Sequence, residues 1–372
     1  MSNAKGPLAA IRVVEFAGLG PAPFAGMMFS DMGADVLRIE RKGASDPTPE
    51  RLDARGRRTI ILDLKQPDAV ALCLDICDKA EAVFEGNRPG VMERLGLGPG
   101  VMLTRNPRLV YGRMTGWGQF GPLATAAGHD INYLALTGAL HAIGPKEKPV
   151  HPLNLAADYG GGAMFLVSGI LAALLHARAS GRGQVVDVAM TDGASYLMSL
   201  FYGLFAAGTW TDERASNFLD GAAPFYDTYR CSDGKWIAIG SIEPQFYVAL
   251  LDKTGITGLR PAQQMERASW PETKAAFNAL FATRTRDEWC EIMEGSDVCF
   301  APVLSLTEAP NHPHNQARRT FVEVGGVLQP APAPRFSETP SSVRWPPAPL
   351  GQGAAETLAE WGVPKAKFEA FI

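Results

Sequence analysis

Residues 11–40 read IRVVEFAGLGPAPFAGMMFSDMGADVLRIE, and this stretch decides the fold. Residues 11–16 form a compact apolar run of strand length. The Gly18-Leu19-Gly20-Pro21-Ala22-Pro23 segment turns the chain into a helix over 24–32, and 34–40 supplies a second strand. Two strands joined through a helix make a βαβ unit, which requires a parallel sheet with helices covering it. The turn also resembles a dinucleotide fingerprint, with Glu40 about 20 residues beyond the first glycine. Pro23 stands where the third glycine is needed, so a tight turn into the helix is preferred over NAD binding.

The pattern continues outward. Residues 57–64 (RRTIILDL) read as a third strand with basic residues at its entrance, followed by a helix over 66–80. Short strands follow at 82–85, 107–112 and 184–189, with a glycine-rich loop at 115–118. Strands and helices alternating at this spacing predict a doubly wound α/β domain. A helix is expected from Asp130 to about Gly144, then a loop to Ala157, then a long apolar helix opened by Gly160–Gly162 and running to Arg178. Residues 193–210 read as helical and lead away from this domain.

From about 221 the character changes. Residues 226–230 and 236–240, joined by an Asp233-Gly234 turn, predict a β-hairpin. Helices are expected at 244–255, 271–283 and 286–294, giving a smaller α+β domain over 222–325. Residues 201–221 link the two domains, and 330–372 complete the large domain of residues 1–200. By composition alone the Pro-rich stretch 329–350 reads as disordered.

The 372 residues carry a formal net charge of −4, with 46% hydrophobic and 20% charged residues, close to the globular average. This balance gives no footprint for nucleic acid or an anionic membrane. The basic cluster Arg55-Gly56-Arg57-Arg58 can still hold a phosphorylated small molecule. The apolar run 163–175 is too short to span a bilayer and reads as a buried helix. Residues 2–4 resemble the remnant of a cleaved tag and are set aside, and no signal peptide is read. The five cysteines form no CxxC pair; Cys73 and Cys77 lie four apart on an apolar helix face, as core residues do. A reducing, cytoplasmic setting is expected.

Among six histidines, the His312-Pro-His314 pair lacks companions that would make a metal site, and none is expected. Ser195 has no GxSxG context, which disfavours a serine hydrolase. His129 and Asp158 each precede a helix-like segment. A helix N-terminus favours an ionised carboxylate and a neutral imidazole, so both could act as bases near neutral pH. Spacing alone leaves open that both are helix caps. Gly128 and the glycines at 160–162 favour a site, because glycine lets a ligand approach the backbone.

The segments RVVEFAGLGPAPFAGMMFSDMGADVLRIER, RRTIILDLK, EGNRPGVMERLGLGP, RMTGWGQFGP, AGHDINYLALTG, PLNLAADYGGGAMF, GRGQVVDVAMTDG and IEPQFY, in this order, closely resemble α-methylacyl-CoA racemases of the family III CoA-transferase (CaiB/BaiF) superfamily. The resemblance runs nearly end to end. It implies a Rossmann-like large domain and a small domain, in a homodimer whose subunits interlock like chain links. The active site would then lie between the large domain of one subunit and the small domain of the other. On this basis 326–350 becomes an ordered arm returning to the large domain, against the compositional reading. The resemblance implies a racemase acting on 2-methylacyl-CoA thioesters, with His129 and Asp158 as acid/bases and Glu243 orienting the histidine. It places CoA contacts on Arg41, Leu62, Asp63, Leu64, Lys65, Glu85, Gly86, Arg88, Arg94, Gly128, Asp130, Ile131, Asn132 and Tyr133. No separate cofactor is required, CoA being part of the substrate. The rival expectation is a CoA-transferase in which Asp158 is the nucleophile; His129 at the GHD position argues for the racemase.

Overall fold

The computed structural model describes residues 6–372, so the tag-like residues 2–4 lie outside it. Residue contacts divide the chain into two units. Unit 1 gathers the described part of Met1–Thr137 with Leu153–Met198 and Arg318–Ile372; unit 2 gathers Gly138–Pro152 and Ser199–Ala317. The segment 138–152, read in sequence as part of the large domain, falls in unit 2.

Unit 1 is built on the expected parallel α/β sheet. Its strands are β1 (Arg12–Phe16), β2 (Asp35–Arg41), β3 (Arg58–Leu62), β4 (Ala82–Glu85), β5 (Val110–Thr115) and β6 (Val185–Ala189), in the order β3-β2-β1-β4-β5-β6. All five pairings are parallel. This is the doubly wound order, in which the chain reverses direction across the sheet between β1 and β4. Helices cover both faces, which is why the central strands are apolar almost throughout. The helix Pro21–Asp31 starts with proline, whose missing N–H costs nothing in a first turn.

One face of the sheet packs Val14, Leu37 and Ile60 against Leu72, Cys73, Ile76 and Cys77 of the helix Pro67–Cys77. Leu358, Trp361 and Phe368, from near the C-terminal end of the sequence, complete this core. The other face receives the helix Met164–Ser180, which buries Leu166, Val167, Ile170 and Leu174. Gly112 in β5 makes the approach possible: a Cβ there would stand 2.8 Å from Leu166 Cδ1 and 2.9 Å from Ile170 Cδ1.

That helix continues a π-helix, Leu155–Ala163, and the 26 residues Leu155–Ser180 are together long and apolar enough to cross a membrane by length and composition. The shorter run read from the sequence missed this continuity. Half of the apolar stretch is buried in the protein, as in a core helix. The helix expected from 130 to 144 is two short ones, Asp130–Ala135 and Ala139–Ala142, broken at Gly138 with φ 81°. The helical region expected at 193–210 is likewise two helices, Met190–Leu197 and Ser199–Ala206.

Unit 2 contains an antiparallel sheet of β7 (Tyr226–Arg230), β8 (Trp236–Gly240) and β9 (Phe300–Val303). The first two form the hairpin read from the sequence; β9 was not read. Its core packs Phe225, Tyr229, Phe277, Phe281 and Trp289.

Back in unit 1, β10 (Phe321–Val324) and β11 (Val327–Pro330) form a second hairpin around Gly325 and Gly326, both at positive φ. The Pro-rich stretch that follows is anchored, as the ordered arm implied by the resemblance would be and against its compositional reading as disordered. Ser342 N–H donates to Asp31 O and Gly56 N–H to Trp345 O, at 3.0 Å each. Leu350 N–H donates to Asp46 Oδ1 at 2.7 Å and Gly351 N–H to Thr59 Oγ1 at 2.8 Å.

Candidate active site

Parallel sheets bind ligands beyond the C-terminal ends of their strands, where the strand order reverses. A cleft of about 1150 Å³ lies there in unit 1. Phe16–Leu19 after β1, Arg38–Lys42 of β2 and its exit, Leu62–Lys65 after β3, and Asn87 after β4 line it. Of the fourteen expected CoA contacts, Arg41, Leu62, Asp63, Leu64 and Lys65 line this cleft.

The cations of the cleft fall into two sets. Arg41, Lys42, Arg51 and Lys65 are exposed, and of these Arg51 already pairs with Asp53 at 2.9 Å. Arg38 and Arg57 are buried and already committed. Arg38 pairs with Glu15 at 2.8 Å and with Glu40 at 2.6 Å, and Arg57 Nε stands 3.2 Å from Glu15 Oε2. Burial pushes the Glu15 carboxyl up and the Arg57 guanidinium down, and the mutual attraction partly offsets both. A phosphate ligand would therefore meet the exposed set, while the buried set holds β1, β2 and the 53–58 turn together. Sequence reading missed this network; a glutamate inside an otherwise apolar strand (VVEF) was its signal.

His129 caps the helix Asp130–Ala135 and is exposed. Its N–H donates to Asn132 Oδ1 at 3.1 Å, and its carbonyl accepts from Asn132 N–H at 2.8 Å. Six residues make fewer than two turns, so the helix-dipole contribution expected here is small. Asp158 does not precede its helix, as expected from sequence, but lies within the π-helix. It is half-buried, with Asn154 Nδ2 donating to Oδ2 at 3.5 Å. Burial, then the charge of Asp130, raises its pKa; Asn154 and His129 oppose the shift. The structure thus brings His129 and Asp158 within electrostatic reach of each other.

The glycines beside these two residues serve packing as well as any ligand. A Cβ on Gly128 would stand 2.7 Å from the Tyr133 ring, whose hydroxyl donates to Gly128 O. Gly161 lies against Gly193 and Ala194, so the π-helix meets the helix Met190–Leu197 backbone to backbone. Gly162 lies against Met190 and Met114. Open approach to a ligand, the reason read from the sequence, is not what Gly161 and Gly162 provide.

The remaining expected contacts lie outside the cleft lining. The Glu85 side chain is fully buried, accepting from Arg113 Nε at 3.1 Å and from Asn87 N–H at 2.6 Å, so it has no free face for a ligand. Asp130 is 5% exposed and its Oδ2 accepts from Ala157 N–H and Asp158 N–H. Any contact it makes to CoA must come from its backbone. Gly86, Arg88, Arg94, Ile131 and Asn132 are exposed, and Tyr133 is buried.

In unit 2, Glu243 is exposed at the N-cap of the helix Pro244–Thr254. The segment leading to it is fixed by Gln264, whose Nε2 donates to Ser241 O at 2.9 Å and Ile242 O at 2.8 Å. Among the described residues no group of three or more His, Cys, Asp or Glu side chains is placed to hold a metal ion. All five cysteines are free.

The alpha-methylacyl-CoA racemase of Mus musculus is 46% identical over 359 residues, covering 95% of this chain and 93% of that protein. The protein of that name from Homo sapiens is 42% identical over 358 residues, with the same coverage. A crystal structure of a CAIB/BAIF family protein from Brucella suis superposes with a TM-score of 0.80 at 25% identity, covering 96% of this chain and 100% of that one. The sequence profile of CoA-transferase family III matches residues 8–354. The chain belongs to CoA-transferase family III.

Proposed function

We propose that this protein is a racemase that interconverts the 2R and 2S forms of a 2-methylacyl-CoA. The observation that carries the reading is that His129 lies within electrostatic reach of Asp158, in a chain 46% identical to a protein named for that activity. The thioester carbonyl acidifies the hydrogen on the neighbouring carbon. One of the two residues takes that proton, leaving an enolate, and the other returns a proton to the opposite face. Each such group contributes about 10²–10⁴-fold. The enolate oxygen needs N–H donors, and the first turn of the helix Asp130–Ala135 offers them, at about 3–4 kcal/mol each. Asp158 suits the role because its raised pKa strengthens it as a base while leaving it able to return a proton.

The cleft beyond β1, β2 and β3 suits the nucleotide end of CoA, with Arg41 and Lys65 meeting phosphate. No further cofactor enters this chemistry. The proposal extends to an interlocked homodimer in which Glu243 of the partner subunit orients His129. The helix Ser199–Ala206, with Leu200, Tyr202 and Phe205 each more than half exposed, supports an apolar surface for a second copy. Free cysteines support a reducing, cytoplasmic location.

The experiment is incubation of one 2-methylacyl-CoA enantiomer in D₂O with proton NMR and chiral analysis. Loss of the α-proton signal with appearance of the other enantiomer is expected. Inertness in that assay, with CoA passing instead to a carboxylic acid acceptor, would replace the racemase by a transferase using Asp158 as nucleophile.

A further inference from the structure

A π-helix pairs each N–H with the carbonyl five residues back, as Met164 N–H does with Tyr159 O, so its first five N–H groups have no partner inside the helix. Two of these, on Ala157 and Asp158, point at one atom. Asp130 Oδ2 accepts from Ala157 N–H at 2.9 Å and from Asp158 N–H at 2.7 Å. Asp130 is 5% exposed, while His129, the residue before it, is exposed. Neighbouring residues therefore serve opposite directions: one opens to solvent, and the other reaches inward to the backbone that carries Asp158. Between the two segments the chain leaves unit 1 over Gly138–Pro152 and returns at Leu153, so sequence proximity alone does not hold them together. The other carboxylate oxygen, Oδ1, is buried without a hydrogen-bond partner among the described residues. Burial of that kind is costly and persists where the group has a task.

We infer that Asp130 is a positioning residue: its side chain caps the π-helix from a neighbouring segment and fixes Asp158 relative to His129. The inference rests on the racemase reading for its kinetic consequences, but the contact itself does not. Its charge also acts on Asp158. Asp130 and His129 act on Asp158 electrostatically and Asp158 acts on Tyr133, while the 18–20 loop brings no titratable group. Burial is the largest cause of the raised Asp158 pKa and the Asp130 charge the next. Removing that charge lowers the pKa and carries the acid limb of the activity to lower pH.

The test compares Asp130→Ala with Asp130→Asn. Asparagine keeps an oxygen acceptor for the two amides and loses the charge; alanine loses both. Amide hydrogen exchange followed by mass spectrometry on the 153–163 segment needs no substrate. Faster exchange at residues 157 and 158 is expected in Asp130→Ala, with protection largely kept in Asp130→Asn. For racemisation, Asp130→Ala is expected to lose about 100-fold in kcat with KM changed less than threefold. Asp130→Asn is expected to recover most of that kcat with its acid limb displaced to lower pH. An Asp130→Ala protein with wild-type amide protection, or with wild-type kcat, overturns the inference. Should that variant not fold, an Asp130→Asn protein with an unmoved acid limb overturns it. Wild-type protein that exchanges no α-proton removes the racemase reading instead, and the amide measurement still decides the contact.

Discussion

Gly20 and Asp158 meet at the end of β1: a Cβ built on Gly20 would stand 3.3 Å from Asp158 Oδ2, and Gly20 holds φ at 65°. The turn that resembles a dinucleotide fingerprint thus delivers bare backbone to the side of a carboxylate. Gly20→Ala would add about 1–2 kcal/mol of left-handed strain and press a methyl group on the carboxylate. Racemisation in this variant is expected to fall at least tenfold in kcat, with a melting temperature a few degrees lower. Steady-state kinetics and thermal unfolding check both.

On the proposed mechanism His129→Ala and Asp158→Ala should each lose about 10²–10⁴-fold in racemisation, since each would remove one face of the proton transfer. His129 is exposed, so its removal opens no cavity and the melting temperature should stay within a degree or two. Chiral analysis beside circular dichroism melts separates a lost base from a lost fold.

Asp158→Asn should be more stable than the wild type at neutral pH. The folded-state pKa of Asp158 is raised, chiefly by burial, so the folded protein binds its proton more tightly than the unfolded chain. The favourable contribution is complete below the unfolded value of about 3.9 and is lost as pH rises through the folded value. Asparagine does not ionise and keeps stability there. The gain in melting temperature should therefore appear at pH 7 and fade towards pH 4, which melts across that range would reveal.

If the cleft takes the nucleotide end of CoA as proposed, Arg41→Ala and Lys65→Ala should raise KM for CoA thioesters several-fold with little change in kcat, because exposed charges lining it would hold phosphate away from the reacting carbon. The effect should shrink in high salt. Initial rates at low and high ionic strength test it, and a kcat loss with unchanged KM would argue against phosphate contact at this cleft.

Glu15→Gln leaves Arg38 and Arg57 buried beside a neutral group. Glu15 and Arg57 side chains are 0% and 1% exposed, and breaking such a pair costs about 3–5 kcal/mol. Chemical denaturation should show a loss of that size, larger than that of any single exposed cation of the cleft.

The sheet was legible because each strand is a short apolar run set off by turn residues; five of the six strands sit where they were read, and β5, read at 107–112, starts three residues later at Val110. β9 was hidden by Pro302, a residue that strands tolerate at an edge and that weakens any strand reading. The β10–β11 hairpin carried a signal that went unread, since Gly325-Gly326 between Val324 and Val327 is a two-residue turn at positive φ. Proline content misled at 329–350, where order comes from backbone hydrogen bonds to residues some 300 positions earlier, beyond any local pattern. His129 and Asp158 were singled out by residue type and neighbouring glycines, and the structure places them within electrostatic reach of each other. The π-helix was not legible, because periodicity reasoning assumes 3.6 residues per turn. Nor could sequence say that Asp130 turns inward while its neighbour turns out.

The core of unit 1 has a consequence for synthesis. The sheet is complete once β6 has emerged, yet Leu358, Trp361 and Phe368 close its apolar face only after the whole of unit 2 has been made. For roughly 9 to 36 seconds of chain growth, at about 5–20 residues per second, an assembled sheet therefore waits with one flank uncovered. Closure of this core should therefore wait for the 358–368 segment. A nascent chain stalled before Leu358 should be the sticky, chaperone-dependent species, whatever the stability of the finished molecule.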